Sequence, residues 1–526
     1  IDPARLRALP NSDQAYAIVP FREEELVLTA LTEAGVYYAA QTLRQMLEAT
    51  LTAESVAIPI MEVLDWPDLS ERGEWGGSAN ADIEWMAAHK MNLVESHVTL
   101  TVEADGSAVA QAPEETIALG RRHALKVVPI ITHLDHLLRT GIYQAYPQLI
   151  GVGYDLANLS HGLVAPCASK PEFIEVLAGW MDGLSRMEGV TDICGWLSEI
   201  QGVQCGCPDC QQSGQYALEA RAYVQAWRRN REAHPDVGLR ILLTQGSYPT
   251  NDQVLAEIPP EVGVTYYDGG RTYDSSREEM IYPLLEEYAA NGGWLGCYPQ
   301  LTASWRIVSP WTGPQFIHYR MNEFVDDGLS CLCGYATPDN RCYEFNVLAA
   351  AEWSWNAKGR SPREFAAAWA TRRGFADPDA VAEWALRMGD VGWDLYGSRV
   401  PFSAFFGTAA TYVKQRSVPS LGAGMYRYFP TQEHLDAHIA TCAWAEQAAR
   451  EWNAPTLVTE ARVVGGMLRM LRGIRAMTLA MVDAELPAEE LRARLSEEMF
   501  ALALAGQQAP GRLLPRQRQR EHLLAQ

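Results

Sequence analysis

The chain has 526 residues, 48% of them hydrophobic and 21% charged, with a formal net charge of -22. That length exceeds what one core usually supports, so two or three domains of ordinary globular composition are expected. The strong negative charge argues against nucleic acid as a partner, and no apolar run approaches the length of a membrane span. The opening Ile1-Asp-Pro-Ala-Arg carries no basic and apolar signal segment and no initiator Met. A soluble protein is expected, either cytoplasmic or exported after removal of a signal.

Taken in order, Tyr16-Ala-Ile-Val-Pro and Glu25-Leu-Val-Leu-Thr-Ala read as two strands joined by a charged turn, and Ala34 to Leu47 reads as an amphipathic helix. From about residue 57 the pattern becomes strand, loop, helix, repeated. The expected strands are Ile58 to Asp65, Met91 to Val98, Leu125 to His136, Asp192 to Glu199, Gly238 to Gln245, Val262 to Asp268, Gly293 to Gln300 and Gly328 to Gly334. Such alternation predicts an α/β fold built on a (β/α)8 TIM barrel, with its chemistry at the C-terminal ends of the strands. Helical periodicity dominates residues 362 to 526, most clearly Glu433 to Asn453 and Val458 to Val482. These helices are expected to pack on the barrel or on a partner subunit, the latter making a homo-oligomer. The expected domains are therefore 1–56, a small α+β unit; 57–360, the barrel; and 361–526, a C-terminal helical domain.

The run Asp192-Ile-Cys-Gly-Trp196-Leu-Ser198-Glu199 is a short apolar strand that delivers one carboxylate to the sheet edge. Asp65, Arg72, Glu95, His97, His133, His136, Gln245, Tyr266, Tyr267, Asp268, Tyr298, Gln300 and Trp305 fall at or just beyond the other strand ends. Sugars need polar partners for their hydroxyls and flat aromatic faces for their C–H surfaces, and no phosphate loop or serine elbow competes for these positions. Singly, each has a structural explanation: His97 reads more readily as a satisfied core or rim histidine, and each aromatic equally as packing. Their order along successive strand ends is the stronger signal. Glu199 beside Trp196 is the natural proton donor for glycoside hydrolysis, where one acid protonates the leaving oxygen and a second carboxylate acts behind the ring.

Ten cysteines are too few for a disulfide scaffold in so long a chain. Cys205, Cys207 and Cys210 nevertheless form a tight C-x-C-x-x-C cluster, with Cys194 and Cys167 upstream. A structural zinc and a local disulfide remain equal alternatives, with the fourth ligand open. A closed thiolate site leaves no position for catalysis, so no cofactor is expected to be required for the reaction.

The pattern Gly35-x-Tyr37-Tyr38-Ala-x-Gln41-Thr42-Leu43-x-Gln45-x-Leu47, after a Tyr-x-Ile strand, resembles the second half of the small domain preceding the barrel in family 20 hexosaminidases. Related small domains precede the barrel in family 67 α-glucuronidases. The segment Trp66-Pro-Asp-Leu-Ser-Glu-Arg72-Gly73 is similar to the end of the first barrel strand in the hexosaminidase-like enzymes, which implies a sugar contact for Arg72. Met91-Asn92 to His97 is similar to their second strand. Val128-Pro129 to His133 resembles the third, with Ile130 and Thr132 where acidic residues are usual. Glu352-Trp-Ser-Trp-Asn356, before Ser361-Pro-Arg-Glu, resembles the closing helix, in which Glu352 either reaches a sugar hydroxyl or anchors the helix.

The resemblance implies a carbohydrate substrate held by Arg72, Glu95, His97, His133, His136, Trp196, Ser198, Tyr267, Tyr298, Trp305 and Glu352. In the hexosaminidases an Asp precedes the acid and orients the substrate's acetamido group; Ser198 stands here instead. In the glucuronidases a carboxylate ends strand six, which implies Asp268 as the second catalytic group and inversion across a gap of about 6.5 to 9.5 Å. Strand seven ends in Tyr298 and Gln300 with no carboxylate. A retaining, substrate-assisted hexosaminidase and a non-catalytic carbohydrate-binding relative are the alternatives.

Overall fold

The computed structural model describes residues 3–483 apart from 23–24, 49, 160–161, 268–276, 304–308, 337–338, 341, 399 and 401–425. At the N-terminus, β1 (Tyr16–Arg22), β2 (Glu25–Ala30) and β3 (Val63–Asp65) form an antiparallel sheet in the order β2-β1-β3. The helix Glu33–Glu48 lays Ala34, Tyr37, Tyr38 and Leu43 against it, the spacing of one helical face. Tyr16, Ile18, Tyr38, Ala39 and Trp355 close this small core.

Eight parallel strands then close a barrel: β4 (Glu71–Trp75), β5 (Leu93–His97), β8 (Lys126–Ile131), β9 (Asp192–Trp196), β10 (Gly238–Leu243), β11 (Gly263–Tyr266), β12 (Leu295–Cys297) and β13 (Cys331–Gly334). A hairpin, β6 (Thr99–Val102) with β7 (Ala108–Gln111), is inserted after β5. Strands follow one another around the ring in chain order, and β13 pairs with β4 to complete it.

One expectation fails here. The apolar segment Ile58 to Asp65 is not the first barrel strand: Val63–Asp65 pairs antiparallel with β1, while Ile58, Ile60 and Met61 are exposed. The barrel opens instead with Glu-Arg-Gly-Glu-Trp at β4, too polar for a hydrophobic pattern to mark: Arg240 and Lys126 pair with Glu71, Arg72 is bonded on the small-domain face, and burial pushes Glu74 up to about 8, so it is held largely as the neutral acid. The helices Pro362–Arg372 and Pro378–Tyr396 pack against the barrel helix Pro314–Asp326, and beyond them Gln432–Glu451 and Pro455–Asp483 pack against each other. Among the described residues no helix is long and apolar enough to cross a membrane. The basic tail 512–520 lies outside them.

Alternate strand positions fill the barrel interior in tiers. At the floor, Arg240 lies 2.8 Å from Glu71, 3.4 Å from Asp192 and 3.5 Å from Glu95, and Lys126 lies 2.7 Å from Glu71 and 2.8 Å from Asp192. Burial alone would raise Glu71 and Asp192, but Arg240 and Lys126 hold both below the usual carboxylate range. Above this tier, Leu93, Val128, Ile130, Cys194, Leu242, Cys331 and Cys333 make an apolar plug.

Because the folded pKa values of Glu71 and Asp192 are depressed, their stabilisation is present above about pH 4 and lost as pH falls through the lower folded values. Glu71→Gln should cost about 3–5 kcal/mol at pH 7 by leaving buried cations under-compensated. Urea midpoints compared at pH 7 and pH 3 should show that deficit shrinking in acid; a constant deficit would contradict the ionic account.

Candidate active site

Glu199 follows β9 by three residues and is held by its backbone as well as its side chain. The buried Asp135 carboxylate accepts the Glu199 amide at 3.0 and 3.1 Å and the Ile200 amide at 3.1 Å. Asp135 comes from the 3-10 turn Leu134–Arg139 after β8, so the two adjacent strand ends are tied together. The Glu199 side chain, 20% exposed, accepts the Tyr267 hydroxyl at 2.5 Å and lies 3.4 Å from His136 Nε2. A glycine is required at 246: a Cβ there would stand 2.7 Å from both the Glu199 carbonyl oxygen and the Tyr216 hydroxyl.

Around this carboxyl the mouth is lined with flat rings. The His133 ring lies 4.6 Å from the Trp196 ring, His97 lies 5.1 Å from Trp196, and Trp75 stacks on Tyr335 at 4.8 Å. The His133 Nδ1 bonds the Leu197 carbonyl at 2.8 Å, which orients the ring. Burial lowers the His133 pKa; its carboxylate neighbours Glu199 and Asp135 oppose that shift. The His97 ring is within reach of solvent yet crowded by protein on its other sides; that desolvation, reinforced by His133 and His136, pushes it down to about 4. Both rings are therefore neutral at pH 7: His133 gives its one N–H to the Leu197 carbonyl and keeps Nε2 as an acceptor, while His97 has one donor and one acceptor.

The mouth thus brings together Glu199, Tyr267, His133, His136, Trp196 and His97 of the expected set. Tyr298 and Glu95 sit deeper: the Tyr298 hydroxyl donates to the Glu95 carboxylate inside the barrel, and burial raises Glu95 despite Arg240. Three expectations are corrected. Arg72 points to the opposite, small-domain face, where it donates to the carbonyls of Leu69 and Lys90 at 2.6 and 2.9 Å and lies over the Trp355 ring at 4.9 Å. Its position in β4 sends the side chain out of the barrel. Glu352 pairs with Arg360 at 3.1 Å, close enough to Lys90 on that same face to act on its charge. Ser198 is fully buried and turned from the mouth, giving its amide and hydroxyl to Glu219 at 2.9 and 2.6 Å. Asp268 and Trp305 lie outside the described residues.

Four residues of the site go unmarked in the sequence reading. Trp75 ends β4, whose polar sequence carries no strand pattern, and Tyr335 directly follows its neighbour β13. Asp135 is the buried member of His133-Leu-Asp-His136, where the histidines draw attention. Glu219 lies on the helix Gln215–Arg231, four residues from Gln215, whose amide donates to it at 2.8 Å. Burial raises Glu219 to about 7, against the pull of its three donors.

Of the cysteines, Cys205, Cys207 and Cys210 converge with Cys167, the four sulfurs all within 4.8 Å of one another. Cys194 is excluded from the group: its thiol faces the barrel interior near the Tyr298 hydroxyl, at 3.7 Å.

The chain thus joins a small α+β domain to a closed parallel barrel with helices on its flank. Residues 3–66, which span β1 to β3, match the family model described as glycosyl hydrolase family 20, domain 2. The chain is similar in fold to a family 138 glycoside hydrolase targeting pectin rhamnogalacturonan II, with a TM-score of 0.61 and 9% identity over 95% of this chain and 68% of that one. It is also similar to a family 89 glycoside hydrolase from Clostridium perfringens, with a TM-score of 0.57 and 10% identity over 94% of this chain and 61% of that one. A chitobiase from Flavobacterium johnsoniae gives 0.50 and 11%, over 92% and 83%. No curated protein matches the chain in sequence.

Charged hydrogen bonds contribute about 1.5–3 kcal/mol each, so Asp135→Ala should speed hydrogen exchange at the Glu199 and Ile200 amides roughly 10- to 100-fold. Amides of β10 should be unchanged. Equal exchange at residues 199 and 200 in the two proteins would show that Asp135 does not hold this loop.

Proposed function

We propose that this chain is a glycoside hydrolase in which Glu199 is the general acid. The observation that carries this reading is a carboxyl fixed at a barrel mouth by Asp135 through its own amide, and bordered by Trp196, His133 and Tyr267. A sugar ring stacked on such faces would present its glycosidic oxygen to one fixed proton donor, while the neutral imidazoles of His97 and His133 bond its hydroxyls. The flanking Tyr267 and His136 are placed to orient the acid and to take up charge after it has given its proton.

The second group in this reading is Asp268, which directly follows Tyr267 in the chain. A substrate-assisted route is disfavoured, since the residue before the acid is a serine already committed to Glu219 rather than a carboxylate free to bind an acetamido group. Hydrolysis with inversion follows: Glu199 protonates the leaving oxygen, Asp268 takes a proton from water, and water attacks from the opposite face.

General acid catalysis is worth about 10²- to 10⁴-fold, so Glu199→Gln should lose that much kcat/KM on glycosides with alkyl leaving groups. It should lose far less on dinitrophenyl glycosides, whose leaving group needs no proton. Equal losses on both substrates would remove Glu199 from the acid's role. Proton NMR of the first-formed anomer should show inversion, and Asp268→Asn should abolish turnover while leaving sugar binding intact; a retained anomer would favour a covalent or substrate-assisted route.

A further inference from the structure

Beside the mouth, and unused by the proposed chemistry, the four cysteine sulfurs gather from two distant stretches of chain. Cys205 and Cys210 are buried and Cys207 half-buried on the loop and helix start that follow Glu199, while the buried Cys167 comes from the segment before the helix Pro171–Ser185. We propose that these four thiolates form a structural zinc site.

The geometry favours an ion over a disulfide. A tetrahedron of sulfurs about 2.3 Å from a central zinc has edges of about 3.8 Å. The Cys167 and Cys207 sulfurs are 3.7 Å apart, and no pair among the four exceeds 4.8 Å. A disulfide would join two of these sulfurs and leave two thiols confined beside it; one divalent ion uses all four.

Backbone and hydroxyl donors are already directed at the sulfurs. Cys205 Sγ accepts the amides of Val152 at 3.3 Å and Cys207 at 3.5 Å, and Cys207 Sγ accepts the Cys210 amide at 3.4 Å. The Ser169 hydroxyl stands 3.3 Å from Cys167 Sγ and 3.7 Å from Cys207 Sγ. Such donors offset the net negative charge of a four-thiolate zinc centre, as hydrogen bonds to metal ligands do generally. Gly206 is needed in the C-x-C turn, because a Cβ there would stand 2.9 Å from the Val152 carbonyl oxygen. Four protein ligands leave no open coordination position, so the ion is structural.

Its consequence for the site runs through Gln215. That side chain accepts the Cys205 amide at 3.0 Å and donates to the Pro166 carbonyl at 3.0 Å and to Glu219 at 2.8 Å; Glu219 in turn holds Ser198. Zinc would therefore fix both ends of the loop that carries Glu199, a role that rests on the hydrolase reading, whereas the metal site does not.

The test reads metal directly. The full chain, purified without added chelator, should carry one zinc per molecule by elemental analysis. It should release that zinc to a colorimetric indicator on titration with an organomercurial, at about four thiols per ion. Cys207→Ser and Cys210→Ser should each bring zinc below about a fifth of an equivalent, while Cys342→Ser, at an exposed thiol outside the cluster, leaves it unchanged. Hydrogen exchange across residues 149–167 and 197–214 should rise in the two metal-poor variants. The proposal is overturned by a wild-type chain that carries no zinc, by a disulfide within the cluster in the intact-protein peptide map, or by iron in place of zinc. Each of these three overturning results is read on the wild-type chain, and none depends on sugar turnover.

Discussion

The barrel is organised by one buried cation. Arg240, on β10, stands opposite acidic residues from three other strands, Glu71 on β4, Glu95 on β5 and Asp192 on β9, while Lys126 on β8 bridges two of them. Five consecutive strands are thereby fixed at matched heights. Side chains alternate across a strand, so a one-residue slip of β10 against β9 would carry the guanidinium out of the interior, deprive Glu95 of its cation and leave Glu71 and Asp192 to Lys126 alone. Apolar packing tolerates approximate registers far better than such a wheel of charges does.

Correct register at the floor is what puts the right residues at the rim. Two positions on from Asp192 and Arg240, Cys194 and Leu242 belong to the apolar plug; two further on, Trp196 is in the aromatic lining. Past the strands, two buried carboxylates take over from the sheet's own hydrogen bonds. Asp135 accepts the amides of residues 199 and 200, and Glu219 accepts the amide and hydroxyl of residue 198. Consecutive amides that a loop would ordinarily give to water are thus bonded from either side. Glu199 itself is left free to face the cleft.

How much of this was legible follows from which interactions are local. Strands β5 and β8 to β13 are marked by apolar runs bounded by polar breaks, and their existence could be read without tertiary knowledge. The polar β4 could not, because Glu71 is made compatible with burial by Arg240 and Lys126, Arg72 by the small domain, and Glu74 by remaining protonated, none of which is local in sequence. That one displacement explains the error over Arg72: assigned to a loop after the strand, it was expected at the rim, whereas its place in β4 turns it outward. Ser198 and Glu352 were placed by resemblance, which transfers a position but not the partner that claims the side chain. Cys167 was one of two candidates for the fourth sulfur. Only the path of the chain, bringing Val152, Pro166 and Cys167 alongside the loop after β9 and the helix that follows it, separates it from Cys194.

The junction beneath the barrel has a bearing on how the molecule can be divided. Lys90 reaches from the start of β5 to Asp65 at 3.2 Å and to the Tyr16 hydroxyl at 2.7 Å, and its ammonium lies 4.1 Å from the centre of the Trp355 ring. Arg72 takes Gln14 at 3.0 Å in the same cluster. A barrel excised at residue 66 would lose Tyr16, Gln14 and Asp65 together, baring two cations and an indole that the intact chain keeps covered. The sixty-odd residues at the front are accordingly a base plate for the barrel, inseparable from it in any shortened version of the protein.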